Sequence, residues 1–148
     1  MIQFEIKPFH DLSTSELYTI LQLRSEVFVV EQNCVYQDLD GKDEKAIHVL
    51  GYYDGVLAAY SRLFKPNEYF ENSSIGRVIV KPSHRDKKLG HDLMRVSIET
   101  VKELFHETNI TISAQLYLQK FYESHGFVTV GESYLEDDIP HIEMLKSS

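Results

Sequence analysis

The chain has 148 residues, 43% apolar and 26% charged, which suits one soluble domain with a sizeable core rather than a disordered segment. Its formal net charge of −8 argues against nonspecific nucleic-acid and anionic-membrane partners, since both are held by Lys and Arg neutralising phosphate. No apolar run approaches the roughly 20 residues of a spanning helix, and the N-terminus MIQFEIKPFH lacks the pattern of a signal peptide, which points to a cytoplasmic protein.

In chain order, Ile2, Phe4 and Ile6 alternate with polar residues as in a strand that Pro8 ends. Ser13 and Glu16 have the spacing of a capping box, and Leu17, Ile20, Leu21, Val27 and Phe28 share one broad helical face, so a helix is expected from about Thr14 to near Phe28. The acidic loop 37–44 follows. Its carboxylates at Asp38, Asp40 and Asp43 have calcium-ligand chemistry, but the loop lacks the register of an EF-hand. With one cysteine, Cys34, and no Cys or His cluster at metal spacing, no metal is expected.

Asp54-Gly55 predicts a tight hairpin between strands 47–53 and 56–64, and Lys65 to Ser73 reads as a surface loop. Ile75 to Lys81 is a further strand. It runs through a turn carrying Lys81, His84, Arg85, Lys87 and Lys88 into a helix with Leu89, Leu93, Met94, Val101, Leu104 and Phe105 on one face. Strand 109–114, a short helix over Leu116–Ser124 stopped by Gly126, and strands 127–130 and 141–145 complete the chain. The order β-α-β-β-β-α-β-α-β-β predicts an α/β (α+β) fold, a mixed sheet with helices on both faces.

The basic turn is the site-bearing feature. A strand leading into a helix N-terminus aims unpaired N–H groups and the positive end of the helix dipole at one spot, and Gly90 lets a ligand approach the backbone. On an acidic protein this suits a small anionic ligand.

Two segments, SSIGRVIVKPSHRDKKLG and Phe121-Tyr122-Glu123-Ser124-His125-Gly126-Phe127, together resemble the Gcn5-related N-acetyltransferase (GNAT) superfamily. The resemblance extends through RSEVFVVEQNC (24–34), YQDLDG (36–41), IGRVIV (75–80) and IPHI (139–142) to the ElaA-like branch, and it covers nearly the whole chain as a single domain, 1–148. It implies a mostly antiparallel central sheet and an acetyl-coenzyme A-dependent N-acetyltransferase acting on a primary amine by direct transfer in a ternary complex. By this likeness the backbone of Val78, Ile79 and Val80 receives the pantetheine arm. The turn Arg85-Asp86-Lys87-Lys88-Leu89-Gly90 receives the pyrophosphate, Gln115 falls where many members have a coenzyme-contacting Asn, and Tyr122 matches the tyrosine that protonates the leaving thiolate. Lys88 departs from the family pattern, which has Gly there; its amide still points inward if the turn keeps a right-handed conformation.

The attacking amine must lose a proton. Candidates to take it are Glu31, Asp38, His48 and His141, with His48 and Glu31 ranked first as catalytic residues because His titrates near neutrality and Glu31 ends the first helix, where family acceptor sites lie. The acidic residues favour a cationic acceptor such as a polyamine, an aminated small molecule or a lysine side chain. The resemblance leaves a homodimer open, and two other readings stay open beside the transferase: an acyl-homoserine-lactone-synthase-like acyltransferase and a noncatalytic acyl-coenzyme A sensor.

Overall fold

A computed structural model describes residues 1–147, so only the last residue of the expected domain, Ser148, lies outside the described residues. Seven strands form one sheet: β1 (Ile2–Pro8), β2 (Ile47–Tyr53), β3 (Val56–Phe64), β4 (Ser73–Val80), β5 (Ile110–Gln115), β6 (Val128–Glu136) and β7 (Ile139–Lys146). Their spatial order is β1-β2-β3-β4-β5-β7-β6. Every neighbouring pair is antiparallel except β4 and β5. The long connection between those two contains α2 (Leu89–Phe105), the crossover that a parallel pair requires.

Strand alternation sends side chains to two cores. On one face α2 and α3 (Gln119–Glu123) pack Leu93, Met94, Val101 and Tyr122 against Val49, Leu63, Ile112 and Met144. On the other, α1 (Thr14–Arg24) and the turns after it pack Ile20, Leu23, Val27 and Phe28 against Leu50, Tyr60 and Ile79. The expected helices on both faces are therefore present. Leu104, assigned by periodicity to the packed face of α2, is instead half exposed near the end of the helix.

The capping box forms as expected, with Ser13 Oγ accepting from the Glu16 amide and a Glu16 carboxylate oxygen accepting from the Ser13 amide. The α-helix stops at Arg24, however, and residues Ser25–Glu31 widen into a π-helical segment. Widened turns of this kind concentrate at functional sites. Here the segment buries Val27 and Phe28 while carrying Glu31 and Gln32 to the sheet's central opening. Strand β6 runs six residues beyond the predicted end at Val130, because an exposed edge strand with a register slip between Val130 and Tyr134 shows no apolar alternation.

The acidic loop is tied down by three arginines. Arg24, with no exposed surface, donates to Asp38 Oδ2 at 2.8 Å and Asp43 Oδ1 at 2.7 Å. Arg62 donates to Asp40 Oδ2 at 2.6 Å and Asp43 Oδ1 at 2.9 Å, and Arg77 Nε lies 2.8 Å from Asp38 Oδ1. The three carboxylates with calcium chemistry are thus neutralised by guanidinium groups, and no metal-binding cluster occurs among the described residues.

Candidate active site

The site begins with a strand pair that fails to close. Strands β4 and β5 pair only at Ser73↔Ile110 and Ser74↔Thr111. Opposite Ser61 of β3 the register of β4 slips, and Arg77 takes a left-handed conformation (φ 49°). Such a bulge bends the strand that carries it. From Ile75 onward β4 has no partner on its β5 side among the described residues. A cleft of about 750 Å³ opens there, lined by Val78, Ile79 and Val80 on one wall and by Ser113, Gln115 and Tyr122 on the other.

One end of the cleft is the N-terminus of α2. Lys88 is its N-cap residue, no side chain caps the helix, and Arg85, Lys88, Leu89 and Gly90 line the opening. A Cβ added to Gly90 would lie 3.4 Å from Phe121 Cε1, so glycine permits the close approach of α2 and α3. Lys88 adopts φ 58°, ψ 33°, which corrects the expectation of a right-handed turn. A left-handed residue bearing a Cβ costs about 1–2 kcal/mol, which accounts for glycine in the family pattern at this place. Asp86 and Lys87 do not line the cleft. The Lys87 ammonium lies 5.1 Å from the Tyr53 ring centroid, on the far side of the turn. Lys88→Gly is therefore expected to leave the melting temperature unchanged or slightly raised while removing one positive charge from the cleft mouth, read as weaker and less salt-dependent binding of inorganic pyrophosphate.

Two polar bridges span the opening from the segment that follows α1. Glu31 accepts both Arg85 Nη1 and Arg85 Nη2, the latter at 2.7 Å, and this hydrogen bonding holds the Glu31 carboxyl below its usual range. Beside it, the Gln32 and Gln115 amides exchange hydrogen bonds of 3.0 and 3.3 Å. Both sequence-derived contacts, Arg85 and Gln115, thus have partners within the protein.

Tyr122 is almost fully buried in the α3 wall, yet it reaches the cleft. Burial pushes its phenol well above the ordinary value, so it keeps its proton at neutral pH. Gly126, at φ 93°, ends α3, and the Tyr122 carbonyl accepts from His125 at 3.0 Å and Phe127 at 3.2 Å.

The candidate proton acceptors separate. His48 does not reach the cleft. It has no exposed surface, its Nε2 donates to the Asp43 carbonyl at 3.0 Å, and its Nδ1 accepts from the Tyr60 hydroxyl at 2.6 Å. Desolvation by burial lowers its pKa against that carbonyl contact. Asp38 is enclosed by Arg24 and Arg77. His141 does line the cleft, with Nδ1 2.7 Å from the Ile139 carbonyl and Nε2 3.5 Å from Glu136.

A model of the acetyltransferase (GNAT) domain matches residues 11–148. The chain belongs to the GNAT family. Protein ElaA of Escherichia coli strain K12 is 45% identical over 148 residues, 99% of this chain and 97% of ElaA. Among solved structures, Escherichia coli ElaA superposes with a TM-score of 0.92 at 44% identity, covering 99% of this chain and all of that one. An acyl-CoA N-acyltransferase from Pseudomonas aeruginosa gives 0.91 at 44% identity, covering 98% and 99%. These likenesses place the chain in the ElaA-like branch of the GNAT family.

In this GNAT domain several cleft residues carried no sequence signal of their own. Glu136 and Asp137 lie at a strand end and in a turn, where neither helical nor strand periodicity marks a side chain, and Gln32 and Tyr36 stood within segments of the family resemblance without any role attached to them. Arg77 likewise lies within the IGRVIV segment, and its bulged conformation depends on pairing with β3.

Proposed function

We propose that this GNAT domain, spanning 1–148, is an acetyl-coenzyme A-dependent N-acetyltransferase that moves the acetyl group to a primary amine by direct attack in a ternary complex. The observation that carries this reading is the open edge of β4 ending at the uncapped start of α2. A pantetheine chain carries amide groups that match the unpaired backbone of Val78–Val80, and a pyrophosphate matches free helix N–H groups flanked by Lys88 and Arg85. The acyl-CoA N-acyltransferase name of the Pseudomonas relative supports the same donor class.

In this mechanism the strand backbone near Ile79 holds the thioester carbonyl, where a backbone N–H stabilises the developing oxyanion. The nitrogen–carbon bond forms, the carbon–sulfur bond breaks, and Tyr122 gives its proton to the departing sulfur. His48, sealed in the core, takes no part. Glu31 acts through Arg85, as a contact that pyrophosphate must share or displace.

Calorimetric titration with acetyl-coenzyme A tests the donor site. Saturable binding of one molecule per chain is expected, and Glu31→Gln, by freeing the guanidinium, is expected to tighten it several-fold, with a steeper loss of affinity as salt is added. No binding at millimolar ligand would remove this reading. Tight binding with no thiol release across a broad amine panel would turn it into a sensor.

A further inference from the structure

The acetyl-transfer reading leaves open where the amine proton goes, and the cleft contains one group built to take it. Register places Gln115, His141 and Tyr134 side by side across β5, β7 and β6. Gln115 meets Gln32 on the α1 side of the sheet, whereas the next residue of β7, Ile142, belongs to the opposite core with Tyr122. His141 therefore stands on one face of the sheet and Tyr122 on the other, with the same cleft passing between them. An acyl transfer needs this separation, because the nucleophile must arrive from one side of the carbonyl while the leaving group departs from another.

The imidazole is fixed in position and in tautomer. A carbonyl only accepts, so Nδ1 carries the hydrogen that Ile139 receives at 2.7 Å, and the lone pair is on Nε2. The ring is 6% exposed and lies stacked on Tyr134 with centroids 6.2 Å apart, while the Tyr134 hydroxyl is hydrogen-bonded to Ser113. Nε2 faces the Glu136 carboxylate at 3.5 Å. The other charged and titratable groups on the cleft wall are Asp137 in the β6–β7 turn, Tyr36, Tyr117, Lys88, Arg77 already paired with Asp38, Arg85 paired with Glu31, and His91, whose Nδ1 is held by the His125 ring at 2.9 Å.

We propose that His141 is the proton acceptor for the attacking amine and that Glu136 holds the resulting imidazolium, so that Glu136 and Asp137 together favour acceptors with a second positive charge. Nε2 takes one proton from nitrogen as the nitrogen–carbon bond forms, and Tyr122 gives one to sulfur as the carbon–sulfur bond breaks. Solvent returns the imidazolium and the phenolate to their neutral forms. An acceptor that arrives as an ammonium thus releases one net proton per amide formed.

This inference rests on the acetyl-transfer reading, and its test keeps the two apart. NMR ring signals of His141, assigned by their loss in His141→Gln, are followed in acetyl-coenzyme A-saturated protein during titration with butylamine and with diaminobutane. Diaminobutane is expected to shift them at lower concentration than butylamine, and Glu136→Gln, a change at a half-exposed side chain, is expected to abolish that preference. His141→Gln is expected to bind acetyl-coenzyme A like the parent yet to lose about 10²-fold in kcat/KM. Ring signals unmoved by either amine, or an unchanged rate and pH profile in His141→Gln, would overturn the assignment while acetyl-coenzyme A binding stood. Failure of the parent protein to bind acetyl-coenzyme A would instead remove the donor reading beneath it.

Discussion

Replacing Tyr122 by Phe is expected to lower kcat about 10²-fold or more, within the range for losing a positioned acid, while leaving the affinity for acetyl-coenzyme A close to its parent value. The ring is almost fully buried beside Phe121 and Phe127, so the Phe variant retains the packing and removes only the hydroxyl. That oxygen has no hydrogen-bond partner among the described residues, so its loss leaves no orphaned group behind. A donor serves a leaving thiolate only if it is still protonated when the carbon–sulfur bond breaks. Burial raises the phenol's pKa and ensures this at neutral pH. The measurement is steady-state thiol release beside a calorimetric titration of the same preparation. Parallel losses in kcat and in binding would make Tyr122 a packing residue of the donor cleft, and an unchanged kcat would remove it from the chemistry.

Arg24→Ala is expected to destabilise the fold by about 3–5 kcal/mol, the cost of breaking a buried pair from one side. Against a typical total of about 5–15 kcal/mol, that is a large share. The guanidinium bridges Asp38 and Asp43, and Asp43 is shared with Arg62, so truncation leaves Asp38 with Arg77 as its one charged partner and buries uncompensated negative charge. Urea unfolding of the variant checks the magnitude, and a loss below about 1 kcal/mol, the scale of exposed pairs, would show that Arg62 and Arg77 suffice.

The same network sets the acid response. Burial alone would raise the Asp43 carboxyl, but hydrogen bonds from Arg24 and Arg62 overcome it and hold the group below its ordinary 3.8. A lowered carboxylate contributes stability that is complete above the unfolded value and is lost as pH falls through the folded one. His48 acts earlier. Burial lowers it from 6.5, so the unfolded chain takes up its proton first, and stability begins to fall as pH drops below that value. Two acid steps are therefore expected in the urea midpoint, one starting below 6.5 and one below 3.8. His48→Gln should shrink the upper step. It should not erase it, since burial also lowers His125. A midpoint that stays flat between neutrality and the carboxylate range would contradict the burial of a neutral His48.

The fold was largely legible because its signals are local. The capping box of Ser13 and Glu16, the Asp54-Gly55 turn and the alternation of Ile2, Phe4 and Ile6 in β1 follow from short-range backbone and side-chain rules, and each appears where the residues place it. The edge of β6 was less legible: its side chains are all exposed, and its hairpin turns on Asp137-Asp138, both left-handed, without the glycine that usually marks such a turn.

The sequence by itself determined the mixed sheet, the basic turn before an amphipathic helix and the tyrosine ahead of a helix-ending glycine, because each lies within a contiguous stretch whose spacing is its own signal. Only the tertiary structure decided which titratable groups share the cleft. His48 and His141 both lie on strands beside apolar neighbours, but one is sealed against Tyr60 and Asp43 while the other faces Glu136 across the opening. That difference comes from strand order and from the slipped register of β4. Both are set by pairings between distant segments, so the surroundings of a side chain there cannot be read from its neighbours along the chain.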